Sequence, residues 1–152
     1  MNDDTPSGKN PALADFMCFA VYSANLAYSK VYKPVLDELG LTYTQYLAII
    51  GLWEEDRQTV KQLSDKLFLE PSTITPVLKR LESMGYVQRK RDDKDERNVR
   101  IALTEAGRAL RMKGFAMRRR IVEASGLSPE EFAALQQQVV RLRDNLLKAS
   151  GA

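Results

Sequence analysis

Apolar residues recur at Leu13, Phe16, Ala20, Ala24, Ala27 and Val31, three or four positions apart, and this spacing predicts a long first helix. Pro34 is expected to kink or end it, and Leu39-Gly40-Leu41 reads as a stop. Thr42 or Thr44 then caps a second helix running to about Glu55. A short third helix follows over Thr59–Leu67, with Val60, Leu63 and Leu67 on one face, and residues 68–70 turn into a fourth. There Pro71 suits the first turn, Ile74, Val77, Leu78 and Leu81 form an inward stripe, and Gly85 supplies a left-handed stop. Ser72, Thr73, Thr75, Pro76 and Lys79 are left facing outward. Pro76 conflicts with a helix that starts at Pro71, because its ring would meet the carbonyl four residues back. Either the start is later or the first turn is loosened.

After Gly85 the period changes from helical to alternating. Tyr86–Arg91 and Asn98–Leu103 read as two strands, the second setting Val99, Ile101 and Leu103 against Asn98, Arg100 and Ala102. Six charged residues between them form a hairpin tip. Thr104 caps a fifth helix to about Ala124, and Ser128-Pro129-Glu130-Glu131 is a capping box that opens the last helix. In that helix Phe132, Leu135, Val139, Leu142 and Leu146 make a seam of coiled-coil spacing. Both ends of the chain are thus helices with an apolar stripe, around a middle that is already a compact unit. A homodimer built from the terminal helices satisfies both stripes. The expected fold is mainly α with a small β-hairpin wing, a winged helix-turn-helix between long dimerisation helices. Residues 1–10 form a polar tail and 11–152 one domain, with dimerisation segments at 11–40 and 105–150 and a DNA-binding unit at 42–104.

Composition narrows the function. The net charge of +3 hides an asymmetry: residues 79–120 carry 14 Lys and Arg against 6 Asp and Glu, so the basic charge is local. Such a patch is the footprint of a polyanion partner, although a solvated face gives the same count. No apolar run approaches a membrane span and Met1–Pro11 has no signal-peptide core, so a cytoplasmic protein without a membrane partner is expected. One cysteine excludes an intrachain disulfide, and the absence of histidine weighs against zinc and against His-based nucleophilic catalysis. No metal, no cofactor and no enzymatic activity are expected.

The run from Leu63-Ser64 to Arg91, with Ser72-Thr73-Ile74-Thr75-Pro76, Leu78-Lys79-Arg80-Leu81-Glu82 and Gly85-Tyr86-Val87, followed by Asp95-Glu96-Arg97 and Leu103-Thr104-Glu105-Ala106-Gly107, resembles the MarR family. The resemblance extends over nearly the whole chain. It implies a homodimer on a palindromic operator in double-stranded DNA, with two recognition helices in successive major grooves and each wing in an adjacent minor groove. Ser72, Thr73, Thr75, Pro76 and Lys79 then face the major groove and Arg80 the backbone. The resemblance puts Arg97 in a minor groove with Asp95 bracing it and Lys94 beside it. Arg89, Lys90, Arg91 and Arg100 are general phosphate contacts or plain solvation. Arg118-Arg119-Arg120 are read as solvation first.

The first helix holds Cys18 among many tyrosines: Tyr22, Tyr28 and Tyr32, with Tyr43 and Tyr46 at the start of the second helix. A lone cysteine is ordinarily a small hydrophobe. Fourteen residues separate Cys18 from Tyr32, about 1400° of rotation, so the two share a face, but at about 21 Å along the axis they cannot touch within one chain. They can meet in a dimer whose first helices run antiparallel. This resembles the OhrR-type branch of the MarR family, the organic-hydroperoxide sensors, and Cys18, Tyr32, Tyr43 and Tyr22 fall at its sensing positions. The resemblance implies a repressor that releases its operator when a hydroperoxide oxidises Cys18. Some members carry a second, resolving cysteine near the last helix. Here that stretch is Glu123-Ala124-Ser125-Gly126, so oxidised Cys18 must be capped by a low-molecular-weight thiol, condense with a backbone nitrogen, or over-oxidise. Three alternatives stay open: a repressor released by a phenolic or apolar ligand with Cys18 inert, a thiol peroxidase, and an architectural DNA-binding protein.

Overall fold

The computed structural model describes residues 10–151, and the expected polar tail, apart from Asn10, lies outside them. A single 3-10 turn, Leu13–Asp15, leads into α1 (Met17–Leu39), α2 (Tyr43–Glu54), β1 (Gln58–Thr59), α3 (Val60–Lys66) and α4 (Pro71–Ser83). The wing strands β2 (Val87–Arg91) and β3 (Val99–Leu103) follow, then α5 (Glu105–Ala109), α6 (Arg111–Ser125) and α7 (Pro129–Ser150). The mainly helical fold with a small β wing is as the patterning predicts.

Three helices open on reciprocal capping boxes. The hydroxyls of Thr42, Thr59 and Ser128 each accept the amide three residues on, while Gln45, Gln62 and Glu131 each accept the cap residue's own amide. Four details differ from the sequence-based expectation. Pro34 does not end α1, which continues to Leu39; the ring is exposed, so the Lys30 carbonyl that loses its helical donor faces water. α4 does start at Pro71 and holds Pro76 inside. The Thr75 hydroxyl donates to the Pro71 carbonyl at 2.7 Å, so the first turn keeps an extra bond where the ring removes one. The single fifth helix is two, α5 and α6, meeting at Leu110. The sheet has three strands in the order β1-β3-β2, because Gln58 and Thr59 pair antiparallel with Ile101 and Arg100.

Gln58 explains the third strand. Its side chain is buried, and its amide nitrogen donates to the carbonyls of Gly51 at 2.8 Å and Glu55 at 2.6 Å. This ties the end of α2 to the sheet, giving the Gly51 carbonyl a second donor beside the Glu55 amide and the Glu55 carbonyl a donor past the helix end. The core lies beneath α4 and the wing: Ile49, Leu52, Leu63, Ile74, Leu78, Leu81, Val87 and Ile101 are all almost fully buried. Burial of each such side chain contributes about 1.5–3 kcal/mol toward holding α4 and the wing on α2 and α3. The terminal helices differ, since Val21, Tyr22, Leu26, Leu135, Val139 and Leu146 are exposed. Contiguous apolar surface of this kind marks an interaction face.

One glycine is indispensable for a steric reason. A Cβ on Gly107 would overlap the Tyr86 carbonyl oxygen, which is backbone and cannot move aside, and Gly107's own carbonyl accepts the Trp53 indole N–H at 2.9 Å. Gly107→Ala should cost about 3 kcal/mol or more in a urea unfolding titration. A change below about 0.5 kcal/mol would contradict this packing.

Candidate nucleic-acid interface and thiol site

α4 is amphipathic by construction. Ile74, Leu78 and Leu81 face the core, and Ser72, Thr73, Pro76, Lys79 and Arg80 are exposed on the other side. Thr75 is half-buried, and its hydroxyl is already engaged with Pro71, so it presents mainly its methyl group and lone pairs. Lys79 and Arg80 make no ion pair among the described residues, which leaves their charge for an outside partner. The Ser72 carbonyl also loses its amide partner to Pro76. At the far end of α4, Glu82 accepts the Arg89 guanidinium at 2.9 Å and the Arg89 amide at 3.2 Å. These Arg89 bonds hold the Glu82 carboxyl below the usual range and fix the helix to the base of the wing.

The wing has its own internal frame, and it corrects two expectations. Arg100 is not a free phosphate contact: its guanidinium donates to Asp92 at 2.8 Å and to the Arg57 carbonyl at 2.9 Å. Asp92 also accepts the Lys94 amide at 3.1 Å, and the Arg100 bond above all keeps its carboxyl deprotonated well below the usual range. Arg89 is likewise committed, to Glu82. Asp95 braces Arg97 through the main chain and not at the guanidinium. It accepts the Arg97 amide at 3.1 Å and the Asn98 side-chain amide at 3.3 Å, so it shapes the turn. Arg97, Lys94, Lys90 and Arg91 are left exposed without an ion pair among the described residues. At the root of the wing Asp56 accepts the Leu103 amide and the Arg108 guanidinium. Burial works to raise the Asp56 pKa, but those donors and the Arg57 amide outweigh it and hold it low. Asp56 bonds residues about fifty positions away, and Gln58 and the Asp92–Arg100 pair bond across loops with no periodic signal, so none of these contacts is legible in the sequence.

The thiol end is arranged differently from the phenol end. Cys18 is exposed near the start of α1, with Tyr22 one turn on. At the other end of the helix, Tyr32 packs on Tyr43 with ring centroids 5.2 Å apart and on Tyr46 at 5.9 Å, and Tyr28 stacks on Tyr32 at 6.5 Å. Tyr46 is buried, and its hydroxyl reaches the Gly114 carbonyl at 3.5 Å. Burial, and then the neighbouring phenols Tyr43, Tyr46 and Tyr28, push the Tyr32 pKa far above that of a free phenol. Burial also raises the pKa values of Tyr43 and Tyr46. These hydroxyls therefore remain protonated donors throughout the physiological range. The structure joins Tyr32 to Tyr43 and leaves Cys18 and Tyr22 apart from them. Between α1, α6 and α7 runs a groove of about 600 Å³ lined by Ala24, Asn25, Tyr28, Tyr32, Arg118, Phe132 and Val139 among others.

A compact winged helix-turn-helix with an exposed hydroxyl-rich helix and a cationic wing is the fold of a DNA-binding transcriptional regulator. The chain belongs to the transcriptional regulator SarA/Rot family, a MarR-like winged-helix group, whose model matches residues 30–113. It is 40% identical over 134 residues to the organic hydroperoxide resistance transcriptional regulator of Bacillus subtilis, covering 88% of this chain and 91% of that one. It is 41% identical over 136 residues to the regulator TtmR of Methylorubrum extorquens, 90% of this chain and 70% of that one. Among solved structures, AbfR of Staphylococcus epidermidis superposes with a TM-score of 0.73 at 31% identity, covering 90% of this chain and 93% of that one. AbfR has been solved bound to DNA in reduced and overoxidized forms, and also in a disulfide form. No helix among the described residues is long and apolar enough to cross a membrane.

Proposed function

We propose that this regulator is a dimeric repressor that senses organic hydroperoxides through oxidation of Cys18 and then releases a palindromic operator. The observation that carries the reading is the layout of α1. The chain's single thiol stands exposed at one end of a helix whose other end holds the packed phenols, with Asn25 halfway between. Two α1 helices crossing antiparallel at Asn25 set each Cys18 against Tyr32 and Tyr43 of the partner subunit, with Tyr22 close by. The exposed faces of α1 and α7 offer the surface for that pairing. Residues 11–40 and 105–150 are then the dimerisation segments, and 42–104 the DNA-binding unit. The names of the Bacillus subtilis relative and of the reduced and overoxidized AbfR structures support the same chemistry.

On DNA, the two α4 helices occupy major grooves roughly 34–36 Å apart, with Ser72, Thr73, Thr75, Pro76 and Lys79 at the bases and Arg80 at a phosphate. Arg97 enters the flanking minor groove from a turn that Asp95 and Asn98 hold rigid, with Lys94 beside it. In the sensing site the Cys18 thiolate is the nucleophile, and two phenols that stay protonated donate to it. The sulfenic acid has no second cysteine to meet. Ser125, the last residue of α6, instead donates to the Val122 carbonyl at 2.6 Å and accepts the Leu127 amide. A low-molecular-weight thiol is the partner that caps it reversibly.

Cumene hydroperoxide added to the operator complex should release the DNA at about one equivalent per subunit, the stoichiometry of one thiol oxidised once. A complex that survives many equivalents contradicts the reading. Within the site, Tyr43→Phe removes one donor to the thiolate, a bond of about 1.5–3 kcal/mol, so release should slow by roughly 10-fold or more. Fluorescence anisotropy of a labelled operator reads both the rate and the affinity of the reduced protein, which should stay within about twofold. An unchanged rate removes Tyr43 from the site.

A further inference from the structure

We propose that Arg118 is the cation of the thiol site: a positioning residue that holds the partner's Cys18 as thiolate and steadies the charge on the departing alkoxide. The inference rests on the antiparallel α1 pairing proposed above. Arg118 lies on α6 one turn beyond Gly114, the residue whose carbonyl takes the Tyr46 hydroxyl. It lines the groove between α1, α6 and α7 together with Tyr28, Tyr32 and Asn25, on the side where pairing about Asn25 brings the partner's Cys18. Met117 and Ile121 flank it and are buried, which fixes the azimuth of α6 and aims Arg118 along the groove.

The electrostatics single out this residue. No other side chain lining the groove carries a charge; the rest are apolar groups, two phenols and two amides. The next residue, Arg119, is turned to Glu123 at 3.6 Å, whereas Arg118 has no carboxylate partner among the described residues. A guanidinium left unpaired on an apolar wall beside neutral phenols is a seat for an anion. The phenols can donate to a thiolate but cannot balance its charge.

In the reaction, the thiolate sulfur attacks the outer oxygen of an organic hydroperoxide and the O–O bond breaks. Sulfur keeps that OH as sulfenic acid, oxidised by two electrons, and the alkoxide leaves and takes a proton from water to become the alcohol. Negative charge passes from sulfur to oxygen within reach of one guanidinium, which pairs with it at both ends of the step.

Oxidation of Cys18 by cumene hydroperoxide should be followed by stopped flow across pH in the parent, Arg118→Gln and Arg118→Lys proteins. Loss of the charge should slow the reaction about tenfold near neutral pH and displace the rate–pH profile to higher pH, with a smaller deficit persisting at alkaline pH from the lost contact to the alkoxide. Lysine should restore most of the rate. Operator affinity of the reduced dimer should stay the same in all three. Superimposable profiles for the parent and Arg118→Gln overturn the role of Arg118 while leaving Cys18 as the sensor. A parent protein whose Cys18 takes up no oxygen overturns the thiol reading itself.

Discussion

A Cys18→Ser protein should bind operator as tightly as the parent and remain bound when cumene hydroperoxide is added. Serine is close to cysteine in size, and Cys18 is exposed near the start of α1, outside α4 and the wing, so the substitution should leave the reduced shape intact. What is lost is the one thiol that a hydroperoxide can oxidise to a sulfenic acid. The expected contrast is large. Turning a population that is almost all DNA-competent into one that is almost all released takes a differential of about 5.5 kcal/mol, a roughly 10⁴-fold change in the two-state ratio. In the proposed sensing site that differential is assigned to Cys18–phenol contacts that one dimer packing makes and the other lacks. Gel shifts of both proteins over a hydroperoxide series test this, and release of Cys18→Ser as complete as in the parent would end the sensing claim. Release by a phenolic or other small apolar ligand, with Cys18 unmodified, would point to the groove as an effector site.

Arg97→Ala should weaken operator binding by roughly 1–3 kcal/mol, or about 5- to 150-fold at fixed salt. The guanidinium has no intramolecular partner among the described residues, and its backbone is held by Asp95, so truncation removes a DNA contact without unsettling the wing. Arg100→Ala offers the contrast. It breaks the bonds to Asp92 and to the Arg57 carbonyl that brace the wing, so its loss should appear first as reduced thermal stability. Competition titrations at two salt concentrations separate the two effects. A groove contact at Arg97 shows sequence-dependent loss on A·T-rich flanks, whereas a phosphate contact weakens all sequences alike. Unchanged affinity would relegate Arg97 to solvation.

The parts of the fold that local chemistry decides were legible in the sequence, and those that tertiary contact decides were not. Thr42, Thr59, Ser128 and Gly40 carry their instructions in neighbouring residues, and the helices begin and end where those residues say. The break at Leu110 has no such signal, since it follows from Gly107 lying against Tyr86 while α6 must pack on α1 and α2. β1 was missed because two residues have no readable period, and its driver, Gln58, is polar and bonded to α2. The conflict at Pro76 is legible in the sequence; its resolution, the Thr75 hydroxyl on Pro71, depends on a rotamer that sequence does not disclose. In the candidate site the outward face of α4 could be read from the helical period. The commitments of Arg89 and Arg100 could not, because a charged residue looks the same on paper whether it faces DNA or a neighbouring carboxylate.

The coupling of oxidation to release is tested most directly by intact-protein mass measured in parallel with operator binding as organic hydroperoxide is titrated in. The expected result is the gain of a single oxygen atom, mapped to Cys18, rising in step with the fraction of DNA released and reversed together with it by thiol. DNA released from protein of unchanged mass, or oxygen gained at Cys18 with the operator still fully bound, would contradict it.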